Sequence, residues 1–186
     1  MRAVAIGASA GGLAAIGKVL EAFPEDYPAA VILVQHIAPH SDGTLARRFQ
    51  RHCRLTVREA EDKEPLLPGI VFVAPPDFHL MVEPELRLSL SRDDRVNYSR
   101  PSIDVLMETA AEAFCSDLTG VILTGASVDG AAGLAAIKRL GGRAIVQSPE
   151  TAEVDIMPRA AIAACTVDAV LELAEIGPFL VRLGYK

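Results

Sequence analysis

The chain has 186 residues, a net charge of −6 and an apolar fraction of 51%. That length and composition suit one domain with a substantial core and exclude an intrinsically disordered chain. The acidic balance disfavours a general nucleic-acid binder, and no apolar run approaches the ~20 residues needed to span a bilayer.

Three cysteines, Cys53, Cys115 and Cys165, lie far apart and form no CxxC pair, so neither a disulfide framework nor a zinc site is expected. A reducing cytoplasm is the simplest compartment. The N-terminus does not read as a signal peptide, because glycines interrupt its short apolar run.

In chain order, AVAIG near Ala3 to Gly7 reads as a buried parallel strand, and Gly12 to Phe23 carries Leu13, Ile16, Leu20 and Phe23 at helical spacing before Pro24. A second buried strand covers Ala29 to Gln35. Ser41 or Asp42 can cap a helix that presents Leu45, Phe49 and Cys53 on one side. Four short extended runs follow, at Leu55 to Val57, Ile70 to Ala74, Leu80 to Val82 and Leu86 to Leu90, separated by turn residues; some pair as hairpins on the sheet or beside it. Asp93 to Arg100 reads as a polar loop. A helix capped by Ser102 then presents Ile103, Leu106, Ala110 and Ala113. Gly120 to Gly125 is a third buried strand, GAAGLAAIKRL a helix ended by Gly141 and Gly142, and Ala144 to Gln147 a further strand. Helical stretches near Pro158 to Ala164 and Glu172 to Leu183 complete the chain. The alternation predicts an α/β fold, doubly wound, with a mostly parallel sheet, helices on both faces and an antiparallel hairpin contribution.

In such a sheet, ligands bind beyond the carboxyl ends of the strands. Ser9 follows the first buried strand, His36 the second, and Ser127 and Asp129 the third. A serine, a histidine and an aspartate on one edge are the set required for nucleophilic acyl transfer. Histidine, with an ordinary pKa of about 6.5, takes the serine proton and returns it, and the carboxylate fixes the ring tautomer. The start of the first helix supplies backbone N–H donors for an oxyanion, Ala10 being the natural first one.

GASAGG, residues 7–12, also matches the G-x-S-x-G nucleophile elbow, although the chain order Ser, His, Asp differs from the Ser, acid, His of α/β-hydrolases. A dinucleotide fingerprint fails twice: Ser9 stands at its second glycine and Gln35-His36 at its acidic position. A P-loop lacks its Gly-Lys-Ser/Thr. Ser9 alone would read as a helix cap, His36 alone as a core histidine and Asp129 alone as a cap. His79 competes as a base, and Asp104 and Asp155 as acids. His36, His40 and Asp42 make no complete metal-ligand set, since Pro39 and Gly43 break regular helical spacing.

Several motifs, in order through nearly the whole chain, resemble the catalytic domain of the chemotaxis protein-glutamate methylesterase (CheB) family. They are IGASAGG, VQH with Pro39, EAEDKEPLLPG, VFVAPPDFHL, RPSIDVL, VILTGASVDGAAGL and MPRAAI. The resemblance implies hydrolysis of glutamate methyl esters on chemoreceptor cytoplasmic helices with release of methanol, glutamine deamidation in some members, and no cofactor. It assigns Ser9 as nucleophile, His36 as base in preference to His79, and Asp129 as orienting acid, with the N–H groups of Ala10 and Ala126 at the oxyanion. The turn before the acid departs from the family's frequent GMGNDG: Ala126 replaces a bulky methionine and Val128 a polar residue. Ala10 stands where some members carry threonine.

The expectation is thus a single catalytic domain over residues 1–186 without a receiver domain. Its expected partner is the methylated receptor helical bundle, with no nucleic acid and no membrane insertion. A non-catalytic scaffold or sensing module in a chemosensory pathway, and a small-molecule esterase with the same triad, are the alternatives. The arginines of LARRFQRHCR read either as a docking face for an acidic receptor or as a solvated helix face.

Overall fold

Two runs without a single charged side chain, AVAIGA and AVILVQ, become the strands β1 (Ala3–Ala8) and β2 (Ala30–Gln35), buried along their whole length. Their side chains alternate between two cores. Ala5, Ile32 and Val34 face one, and Val4, Ile6 and Leu33 face the other. A strand covered on both faces has to be apolar at every position, which is why these runs do not alternate with polar residues. The computed structural model describes residues 1–40 and 43–183.

The other strands are β3 (Thr56–Glu59), β4 (Ile70–Val73), β5 (His79–Val82), β6 (Leu88–Ser91), β7 (Leu118–Ile122), β8 (Arg143–Gln147) and β9 (Ala169–Leu171). Seven of them form one sheet in the order β3-β4-β2-β1-β7-β8-β9, every neighbouring pair parallel. The helices are α1 (Gly12–Leu20), α2 (Leu45–Gln50), α3 (Ile103–Phe114), α4 (Ala131–Arg139), α5 (Ile156–Ala164) and α6 (Leu173–Arg182). Helices α1, α2 and α6 cover one face and α3, α4 and α5 the other, giving the expected three layers. The chain builds outward from β1 through β2 on one side and from β7 on the other. The order therefore reverses between β1 and β7, and the crevice beyond their carboxyl ends is where such folds bind ligands.

The strand-rich middle divides. β5 and β6 pair antiparallel as a separate two-stranded sheet packed on α3, whereas β3 and β4 extend the main sheet in parallel beyond β2, with β3 at its edge. Helix α2 stops at Gln50, short of Cys53, because the Gln50 amide turns the chain back. Its Nε2 donates to the carbonyls of Cys53 and Leu55, and its Oε1 accepts from Val57 N–H. Ser41 and Asp42, the alternative caps of this helix, lie outside the described residues; Thr44 occupies the N-cap position. Ser102 caps α3 as expected, accepting from Val105 N–H. Strand β9, three residues long, was not foreseen.

Candidate active site

The ladder between β1 and β2 runs on for one more bond, from His36 N–H to the carbonyl of Ala8 at 3.0 Å. On the other side, Ser9 N–H donates to the carbonyl of Thr124 at 3.0 Å. Ser9 thus sits at the end of the central strand, between the loops that follow β2 and β7. Gln35, the polar end of an apolar strand, ties two of these loops together: its Nε2 donates to the carbonyls of Ser9 (2.8 Å) and His36 (3.0 Å). The two carbonyls set the orientation of the amide, so Oε1 lies against Gly12, buried and, among the described residues, without a partner. A side chain at position 12 would begin 2.0 Å from that oxygen, so only glycine fits.

Asp129 is fully buried and is the hub of the site. Its Oδ2 meets His36 Nε2 at 2.7 Å and accepts from Ile103 N–H at 2.6 Å. Its Oδ1 accepts from Ser102 Oγ (2.7 Å), Asn97 Nδ2 (3.0 Å) and Asp104 N–H (3.2 Å). Burial pushes the carboxyl pKa up, but the hydrogen bonds from His36, Asn97, Ile103 and Ser102 outweigh it and hold the group below its ordinary value. Asp129 is therefore an anion at neutral pH, supported by the first turn of α3. Its own N–H donates to Ser127 Oγ, which shapes the turn before α4. His36 shows little exposure, and its Nδ1 is the ring nitrogen that Asp129 leaves open.

The structure brings His36 and Asp129 into direct contact. Ser9 follows β1 next to where His36 follows β2, and among the described residues its hydroxyl makes no hydrogen bond; such bonds in unliganded sites often close only around substrate. The N–H groups of Ala10 and Ala126 likewise donate to no carbonyl among the described residues. Gly125 brings the β7 loop against Ser9: a Cβ there would meet Ser9 Cβ at 2.9 Å and the Met157 side chain at 2.7 Å. Buried Met157 thus closes one side of the site, and Val128 points to solvent.

The competing residues are occupied elsewhere. His79 is buried, with Nε2 on the Asp94 carbonyl and Nδ1 accepting from Ser102 N–H, so both ring nitrogens are used, one in the loop before α3 and one at its N-cap. Asp155 pairs with Arg159 at the start of α5. His40 is exposed, and His52 faces Glu21. Asp104 is buried and accepts from the N–H groups of Gly130 and Gly133, pinning α3 to the start of α4. Burial raises its pKa, and the nearby Asp129 charge adds to the rise.

Sequence reasoning missed Asn97, whose amide donates to Asp104 as well as to Asp129, and the ties made by Gln35 and Gln147. Gln147 ends β8 as Gln35 ends β2, accepting from Thr124 N–H and donating to the Thr151 carbonyl. A glutamine closing an apolar strand was the available signal. Among the described residues, no group of three or more histidine, cysteine or carboxylate side chains is placed to hold a metal ion.

Known proteins resemble the chain along nearly its whole length. The family model described as CheB methylesterase matches residues 4–180. A putative protein-glutamate methylesterase/protein-glutamine glutaminase of Leptospira interrogans is 49% identical over 181 residues, covering 97% of this chain and 94% of the relative. The protein-glutamate methylesterase/protein-glutamine glutaminase of Bordetella pertussis is 43% identical over 186 residues, and there the match spans 53% of the longer relative. The crystal structure of the Thermotoga maritima CheB methylesterase catalytic domain superposes with a TM-score of 0.93 at 36% identity, covering 98% of each chain.

Proposed function

The chain belongs to the CheB methylesterase family, and on that premise we propose that it hydrolyses glutamate methyl esters on the cytoplasmic helices of chemoreceptors, releasing methanol, and deamidates glutamines by the same route. Ser9 Oγ attacks the ester carbonyl while His36 Nδ1 takes its proton. Asp129, bonded to His36 Nε2, keeps the proton of the neutral ring on Nε2 and stabilises the imidazolium once it forms. The N–H groups of Ala10 and Ala126 receive the oxyanion. His36 then gives the proton from Nδ1 to the departing methanol, or to ammonia from a glutamine. Water, activated by the same nitrogen, releases the acyl group from Ser9 as a glutamate carboxylate.

The observation that carries this reading is the 2.7 Å contact between His36 and buried Asp129 at the strand end beside Ser9. Among the described residues no helix is long and apolar enough to cross a membrane, which suits an enzyme that meets its receptor from the cytoplasm. The test is methanol release from methylated receptors of the same organism. The wild-type protein releases methanol, and Ser9→Ala, His36→Ala and Asp129→Asn each abolish most of it. No release above the Ser9→Ala background by folded wild-type protein, on a receptor shown to carry methyl esters, would overturn the proposal.

A further inference from the structure

A groove of about 780 Å³ lies between the first turn of α1 and helix α2, lined by Leu13, Ala14, Arg47, Arg48, Arg51 and His52 among others. Leu13 and Ala14 also line a smaller cavity of about 270 Å³ that contains Ser9, Gln35 and Glu153. The groove and the Ser9 cavity therefore share a wall at the start of α1.

The charge of the groove runs against that of the molecule. The chain carries −6 overall, yet the described residues lining the groove include three guanidinium groups and no carboxylate. Arg58, Arg100 and Arg159 each hold a carboxylate, whereas Arg47, Arg48 and Arg51 make no ion pair among the described residues. Arg47 and Arg48 stand on α2, which Leu45, Ala46 and Phe49 anchor in the core, and Arg51 follows directly. The exposed Leu13 adds an apolar contact beside them. The Ser9 cavity has the opposite sign: the Glu153 carboxylate lies against Gly11 at its rim.

We propose that this groove docks an acidic helical segment of the substrate protein and so selects which glutamate ester reaches Ser9; the inference rests on the esterase reading above. Each turnover converts a neutral ester into a carboxylate, so a segment with more than one such glutamate gathers negative charge around the esters that remain. On a helix, side chains three, four and seven residues away share the face of the reacting one, and with a rise of ~1.5 Å per residue they lie about 5–11 Å along it. Arg47, Arg48 and Arg51 bind those flanking carboxylates, guanidinium to carboxylate. Glu153 repels a carboxylate from the Ser9 cavity and leaves that place to a neutral ester or amide. The two ends of the surface thus sort charged flanking groups from the uncharged reacting one.

The test compares the wild type with the triple variant Arg47→Glu, Arg48→Glu, Arg51→Glu, and with the milder triple change to Gln. Methanol release is measured on three substrates: a blocked glutamate methyl ester, a helical peptide with one methyl ester flanked by free glutamates, and the same peptide with alanines at the flanking positions. Binding of the labelled acidic peptide is followed by fluorescence anisotropy in a Ser9→Ala background at low and high salt. Charge reversal is expected to lower kcat/KM on the acidic peptide by about tenfold to a hundredfold, to weaken binding in parallel, and to remove its salt dependence. The Gln variant falls between, and the blocked ester is hydrolysed as before. Equal wild-type turnover of the acidic and alanine peptides, or an equal fall on the blocked ester and the peptide, would overturn docking at this groove. Wild-type protein that hydrolyses none of the three substrates would instead refute the esterase reading. Anisotropy would then decide docking alone, salt-sensitive binding lost on charge reversal supporting it and unchanged binding refuting it.

Discussion

Replacing Asp129 by asparagine changes one oxygen into an NH₂ group, and the surroundings of the carboxylate let the outcome be worked through for each orientation. With the amide nitrogen at the Oδ1 position, it faces Asp104 N–H and Asn97 Nδ2, two donors that cannot accept in return; Ser102 Oγ alone can reverse its role. With the nitrogen at the Oδ2 position, it faces Ile103 N–H, and His36 can keep a hydrogen bond only by accepting at Nε2. That acceptance moves the ring proton to Nδ1, the nitrogen that has to receive the Ser9 proton. Either orientation strands at least one buried backbone N–H, at about 1–3 kcal/mol, and removes a charge that several donors had been stabilising, so a total loss of about 2–4 kcal/mol is expected. The second orientation also sets the wrong tautomer, for which a fall in kcat of about 10³–10⁴-fold is the expected scale. The assay is methanol release from a blocked glutamate methyl ester, with urea unfolding in parallel to show that the variant is folded under assay conditions. Folded variant protein with kcat within about tenfold of the wild type would refute the argument that Asp129 sets the His36 tautomer.

Gly12→Ala places a Cβ 2.0 Å from Gln35 Oε1 and 2.8 Å from Ala8 Cβ. Displacing Gln35 releases its bonds to Ser9 and His36, so the ~1 kcal/mol gained in helix propensity is outweighed by about 2–4 kcal/mol of overpacking and lost hydrogen bonds. Urea unfolding and kcat both fall if this holds, and a stabilised, fully active variant would contradict it. Asn97→Ala removes the amide shared by Asp104 and Asp129, and stability near pH 7 should drop by about 2–3 kcal/mol. The pH dependence has a definite sign. The Asp129 pKa is depressed by folding, so its stabilising contribution is present above its ordinary value of 3.8 and is lost as pH falls through the lower folded value. Asp104 is raised by folding and is protonated first as pH falls, which ends its need for the Asn97 donor. The deficit of Asn97→Ala therefore begins to close above pH 3.8 and vanishes below it. Urea midpoints measured across that range give the answer, and a deficit independent of pH would rule out the carboxylates as its origin.

The central strands and the edge that carries the site were legible in the sequence because they depend on local pattern. Uninterrupted apolar runs between glycine-rich turns can only be strands covered on both faces, and the residues after them, Ser9, His36 and Asp129, then share one rim. The family motifs led to the same three residues. What only the tertiary structure decided depends on partners distant along the chain. Strands β3 and β4 look like hairpin material until their neighbours are known, and β9 is too short to show a period. Helix α2 ends early because the Gln50 side chain bonds the chain that follows. Asp104 and Asp129 are both buried carboxylates near helix starts, and His36 follows β2 while His79 opens β5. They separate because Asp129 reaches across to the His36 ring, whereas Asp104 ties backbone N–H groups and His79 braces the α3 turn. Asn97 lies 32 residues from Asp129, and Gln35 lies 26 from Ser9. Hydrogen bonds over such separations leave no periodicity in a sequence, because they are made only when folding brings the loops at the strand ends together.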